Sequence, residues 1–156
     1  RSCIEIGIDG IFLAVQYAQS GLVNRDEFRE FVRPYDIALL EESKSLWCNL
    51  VHIHGTSIYF DELQDYPAAI LNWHDQETSP SLPEAQKRTK SIVCGGLRQW
   101  DTLVYGDPES VTREAESAIA ATSGKQFILG TGCVIPIIAP RANIIAVRQS
   151  VERGIA

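Results

Sequence analysis

The sequence contains no methionine in its 156 residues, and it starts at Arg1 on the edge of an apolar segment. A complete translation product opens with methionine, so the expectation is a chain cut from something longer. Basic residues are also scarce: 14 Lys and Arg stand against 20 Asp and Glu, for a net charge of −6. That balance argues against nucleic acid as a partner, because neutralising phosphates takes a basic face. No apolar run approaches the ~20 residues needed to span a bilayer, and no secretory signal opens the chain. The cytoplasm is the expected location. Cysteine is sparse, four residues without a Cys-x-x-Cys pair, which excludes a disulfide framework.

What remains is a composition 45% hydrophobic and 22% charged, suited to one soluble domain. A chain of this length buries roughly 68–70% of its unfolded surface, enough for a core without crosslinks. Five short apolar runs recur, at residues 4–14, 48–54, 68–73, 91–94 and 126–129. Each reads as a buried strand. Helical segments follow them. Asn24 can cap a helix with Asp26 and Glu27 in its first turn, and Pro34 starts a second helix reaching about residue 46. Further helices are expected at 58–64, 82–89, 107–122 and 141–152. Asp107-Pro108 supplies the clearest start, a cap followed by a first-turn proline.

Strict alternation of apolar strands and helices predicts an α/β fold with a parallel sheet under helices. No Gly-x-Gly-x-x-Gly follows the first strand, which weakens a doubly wound dinucleotide-binding sheet. The unusual residues fall at the C-terminal ends of strands, where a (β/α)8 TIM barrel places its chemistry. Five parallel strands of such a barrel, over residues 1–156 as one domain, are therefore expected.

His52 and His54 lie two apart on a strand, so both leave the same face with backbones roughly 6–7 Å apart. Two imidazoles at that spacing can share a metal ion. Cys133 follows in Gly130-Thr131-Gly132-Cys133, and a closed barrel brings that strand end to the histidines. Two nitrogens and a thiolate with one open position is the donor set of a catalytic zinc. The same residues also fit a hydrogen-bonded histidine pair and a small buried cysteine. His74 beside Asp75 suits a general acid/base, with His74 alternatively a third metal histidine; an ordered turn is the plainer role. Gly95 and Gly96 could offer backbone N–H groups to an anion, or simply form a turn. Arg98 could meet a substrate carboxylate or stay solvated. Gln16 and Tyr17, past the first strand, are candidate pocket-lining residues.

Several stretches resemble the uroporphyrinogen decarboxylase superfamily: Gly10-Ile11-Phe12-Leu13-Ala14, the run Glu-Phe-Arg-Glu-Phe-Val-Arg-Pro-Tyr around Pro34, His52-Ile53-His54-Gly55 and Asn72-Trp73-His74-Asp75. The end segment Gly130-Thr131-Gly132-Cys133-Val134-Ile135-Pro136, with Pro140 and Asn143, continues the likeness in the same order. The resemblance implies an eight-stranded barrel of which these are the last five strands. The first three, with the decarboxylase arginines and key aspartate, would lie outside this chain. Two activities follow from it. Cofactor-free decarboxylases of tetrapyrroles carry Gly-His-Gly where this chain has Gly130-Thr131-Gly132. Cobamide-dependent methyltransferases carry His-x-Cys and a later cysteine after Thr-Gly as zinc ligands. Here His52 matches, His54 replaces the first cysteine and Cys133 matches. The favoured expectation is zinc-dependent methyl transfer from a corrinoid to a thiol. The alternatives are tetrapyrrole decarboxylation, and a non-catalytic half-barrel that seeks a second copy or the missing N-terminal half.

Overall fold

The computed structural model describes residues 2–153. Its elements run α1 (Ser2–Glu5), β1 (Phe12–Val15), α2 (Arg25–Phe31), α3 (Arg33–Glu42), β2 (Leu50–Ile53), α4 (Phe60–Leu63) and β3 (Ile70–Trp73). Then come α5 (Leu82–Gln86), β4 (Ile92–Leu97), α6 (Pro108–Ala121), β5 (Phe127–Thr131) and α7 (Arg141–Arg153). The five strands form one parallel sheet in chain order, β1-β2-β3-β4-β5. A doubly wound sheet reverses its order at a switch point; this one advances by one strand at every crossover, as a barrel does. The fold is a partial (β/α)8 barrel with β1 and β5 as its edges. Among the described residues no helix is long and apolar enough to cross a membrane.

Local chemistry explains the helix starts. Asn24 accepts hydrogen bonds from the N–H groups of Asp26 and Glu27, while Glu27 accepts one from Asn24 N, closing a capping box. Asp107 caps α6 with Pro108 in its first turn. Three expectations need correction. Residues 4–14 do not form one strand: Gly7 takes φ +84, Ile6 is exposed, and pairing begins only at Phe12. Helix α3 stops at Glu42: Ser43 leaves the helical conformation at φ −100 and ψ 5, and its hydroxyl donates to Leu39 O and Leu40 O. Strand β4 is not closed by its glycines but runs through them to Leu97.

The main core lies between the sheet's outer face and the helices, around Trp73, Phe28, Leu40, Ile53, Leu71 and Val51. Trp73 is fully buried, packs against Phe60 with centroids 4.9 Å apart, and donates its indole N–H to Pro80 O at 2.9 Å. That anchorage fixes the end of β3, and with it the backbone of His74. The opposite face of the sheet carries the row Ala14, His52, Asn72, Cys94 and Ile128, aligned by register. At its flanks Phe12 is 64% and Ile128 40% exposed, so the inner face is only partly covered.

Asp36 on α3 is buried and accepts a hydrogen bond from Tyr66 Oη at 3.1 Å. Burial pushes its carboxyl above the ordinary value of 3.8. A carboxyl raised in the folded state favours folding fully below its unfolded pKa and loses that contribution as pH rises through the folded one. Asp36→Asn keeps an acceptor for Tyr66 and removes the buried charge. It is expected to be more stable than the parent at pH 7 by urea denaturation, with the gap closing below about pH 4. A less stable variant at pH 7 would contradict this.

Candidate metal centre

The chain's three histidines and Cys133 converge at the C-terminal ends of β2, β3 and β5. One ligand atom from each of His52, His54, His74 and Cys133 lies within 4.8 Å of the others. Ring centroids are 5.7 Å apart for His52 and His54, 5.9 Å for His52 and His74, and 5.3 Å for His54 and His74. Cys133 Sγ lies 3.9 Å from His54 Nδ1, near the roughly 3.6 Å edge that zinc–sulfur and zinc–nitrogen bond lengths give a tetrahedron.

Each position has a local cause. His52 sits within β2 on the inner face, and His54 is the next inward residue, its N–H still bonded to Val15 O at 3.0 Å. His74 lies one residue past β3, two after Asn72, and continues on its face. Cys133 arrives on a turn in which Thr131 Oγ1 donates to Cys133 O. The turn passes so close to the end of β3 that a Cβ on Gly132 would lie 2.7 Å from His74 Cα. Only glycine permits that approach.

Hydrogen bonding fixes which histidine nitrogens are free. Asn72 Nδ2 donates to Cys94 O at 2.9 Å and to Thr131 O at 3.0 Å. Its Oδ1 must therefore face His52 Nδ1, 2.7 Å away, as acceptor. His52 Nδ1 then carries the hydrogen and Nε2 keeps its lone pair. Nε2 of His52 and of His74 are both buried without a hydrogen-bond partner. Buried polar atoms are rarely left so, and each asks for an explanation. Burial also pushes both imidazoles below the ordinary value of 6.5, so they are neutral and able to ligate at neutral pH. His74 Nδ1 lies 3.5 Å from Glu77 Oε2, the outer partner that a ligating histidine commonly has. Three imidazoles and a thiol, two with orphaned lone pairs, fit zinc in donor type and number.

The other predicted site residues divide. Gln16 lines a cavity of about 350 Å³ with Phe12, Ala14, His52, Cys133 and Val134. Tyr17 is exposed and does not line that cavity. Asp75 is not paired with His74: successive strand residues face opposite ways, and Asp75 turns to the helix side. There its carboxylate accepts the N–H of Gly96 and a hydrogen bond from Gln76. A Cβ on Gly95 would lie 2.2 Å from Asp75 Oδ1, so the glycine pair makes room for Asp75 and Gly96 N–H is already engaged. Arg98 is bound to Glu114 at 2.7 Å. Asp75, Gly95 and Gly96 belong to the outer layer, whereas Arg98 also borders a small niche beside His74 and Gly132. Sequence reasoning missed Asn72, Glu77, Phe12, Ala14 and Val134; Asn72 had a visible signal, a polar residue in an apolar strand two before a histidine.

The family model described as Uroporphyrinogen decarboxylase (URO-D) matches residues 1–154. The chain belongs to the uroporphyrinogen decarboxylase family. Among solved structures, a methyltransferase from Methanosarcina mazei is similar with a TM-score of 0.83 and 22% identity, covering 98% of this chain and 44% of that one. That likeness carries the fold, and this chain spans less than half the length of that protein. No match is found among curated proteins. The family is one of enzymes, and its barrel puts chemistry at the strand ends where the histidines of this member meet.

Asn72→Ala removes the acceptor that sets the His52 tautomer. It is expected to weaken zinc affinity by roughly 10–100-fold, read by competition with a chromogenic chelator. Unchanged affinity would show that Asn72 does not orient His52.

Proposed function

We propose that this chain carries the metal half of a methyltransferase of the uroporphyrinogen decarboxylase family, moving a methyl group from a corrinoid to a thiol. The observation that carries the reading is the meeting of His52, His54, His74 and Cys133, with two imidazole Nε2 atoms buried and unpartnered. His52, His54 and Cys133 would hold zinc. When bound, zinc would lower the pKa of a substrate thiol that joins it.

The chain's residues do the rest. Asn72 holds His52 in the ligating tautomer, and Thr131 holds the turn that presents Cys133. Phe12, Ala14 and Val134 give the cavity of about 350 Å³ an apolar wall, which lowers the local dielectric around the acceptor. Gln16 stands at its rim and can orient the acceptor's tail by a hydrogen bond. In the transfer, a sulfur lone pair forms the new S–C bond while the bond from carbon to the donor breaks, its electron pair staying with the donor. The thiol proton leaves to solvent. An imidazole in place of one thiolate ligand makes the centre less electron-rich, so the acceptor is more easily deprotonated and less nucleophilic.

The expected metal content of the purified chain is about one zinc, lost in Cys133→Ala. Absence of zinc from both would remove the reading and leave tetrapyrrole binding as the activity to test.

The open sheet supports a second proposal: catalysis needs the barrel completed by further β/α units. Both edges lack a neighbouring strand among the described residues, and exposed strand edges invite pairing. An apolar groove of about 490 Å³ beside β5 and α7, lined by Leu129, Ile135, Ile144, Val147 and Val151, lies where the next unit would pack. That the similar methyltransferase is matched over 44% of its length is consistent with this. The chain alone is expected to self-associate in light scattering. A monomer with a sharp unfolding transition would contradict the proposal.

A further inference from the structure

We infer that the acceptor of this centre is an uncharged thiol, with Gln16 as the residue that meets its tail. The inference rests on the metal reading above and adds the substrate class. Three imidazoles and one cysteine converge here, and at a bound ion imidazoles are neutral while cysteine is a thiolate. A divalent cation on that set keeps one positive charge over, which one incoming thiolate cancels. Any charge on the acceptor's tail must then be met by the walls.

The walls built by this chain offer no such charge. The cavity of about 350 Å³ beside the cluster is lined by Phe12, Ala14, Gln16 and Val134, together with Asn72 and residues of the cluster itself. No lysine, arginine, aspartate or glutamate is among them. Phe12 and Val134 are 64% and 77% exposed, so a tail that leaves the sulfur runs along hydrocarbon. Asn72 is already engaged, since its amide nitrogen serves two carbonyls and its oxygen faces His52 Nδ1. Arg98, which borders the niche beside His74, is held by Glu114 through both its guanidinium and its backbone N–H. Gln16 remains. Its carbonyl accepts from Gln19 Nε2 at 2.9 Å, while its side-chain amide has no partner among the described residues and can both donate and accept. An amide suits a hydroxyl or ether tail. A sulfonate or ammonium laid against Phe12 and Val134 without a counter-charge is costly to desolvate. On binding, the S–H bond breaks, the proton goes to solvent and a sulfur electron pair is shared with the metal; nothing is oxidised or reduced.

The test loads the chain with cobalt(II) and follows its visible absorption in two titrations. One uses 2-mercaptoethanol, the other 2-mercaptoethanesulfonate, which has the same skeleton and an anionic tail. The parent is expected to bind the neutral thiol roughly ten-fold more tightly. That preference is expected to persist at high salt, because the cavity walls set it and not the chain's net charge of −6. Gln16→Lys, a change at an exposed side chain, is expected to narrow the preference by strengthening sulfonate binding. Equal or tighter binding of the sulfonate by the parent would overturn the inference, as would a preference that salt abolishes. A preference unmoved in Gln16→Lys would overturn the role of Gln16. A parent chain that takes up no cobalt would overturn the metal reading itself, a failure distinct from these.

Discussion

The side chain of Asn72 sets the site. One amide, buried on the inner face of β3, donates to backbone carbonyls of β4 and β5 and accepts from a histidine of β2. Four adjacent strands are thus referenced to a single group at the level where the barrel presents its chemistry. The two donated bonds leave Oδ1 no role except acceptor, and that choice propagates to the hydrogen on His52 Nδ1 and the lone pair on Nε2. A strand amide of this kind would be costly to bury with any bond unmade. Here each of its polar atoms has a partner, and the orphaned atoms are displaced to the imidazoles, where a metal can use them.

The sheet divides the polar residues into two populations with different duties. Inward residues Asn72 and His74 serve the histidine–cysteine cluster, and the outward Asp75 ties the end of β3 to β4 through Gly96 N–H. Trp73 points outward as well and fixes the same strand end by burial. A two-residue period therefore places a ligand and a structural carboxylate side by side in sequence and back to back in space. The cysteines divide in a similar way. Burial pushes the Cys94 thiol up to about 11, which keeps it protonated at neutral pH, while Cys133 sits on a glycine-built turn among the histidines.

Much of the fold was legible in the sequence because strand alternation, caps and prolines act locally. Asn24, Pro34 and Asp107 marked helix starts that the structure contains. The errors came where a local signal met a tertiary demand. Ile6 reads as a strand residue but is exposed, and Gly95-Gly96 read as a stop although the glycines leave space for the Asp75 carboxylate at the end of neighbouring β3. At the site, the spacing of His52 and His54 and the glycines before Cys133 pointed to positions that do converge. The separation of His74 from Asp75 was open to the period-two argument, whereas the pairing of Arg98 with Glu114 depends on how α6 docks and left no trace in the local sequence. Asn72 was visible as a polar residue in an apolar run, but its role depends on register across three strand pairs.

The proposed function stands on a mixed nitrogen and sulfur metal centre built from three histidines and Cys133. X-ray absorption at the zinc edge of the loaded chain tests it most directly. One sulfur and a remainder of nitrogen scatterers with the outer-shell signature of imidazole are expected. A shell of light atoms without sulfur, or one without imidazole scattering, would contradict it.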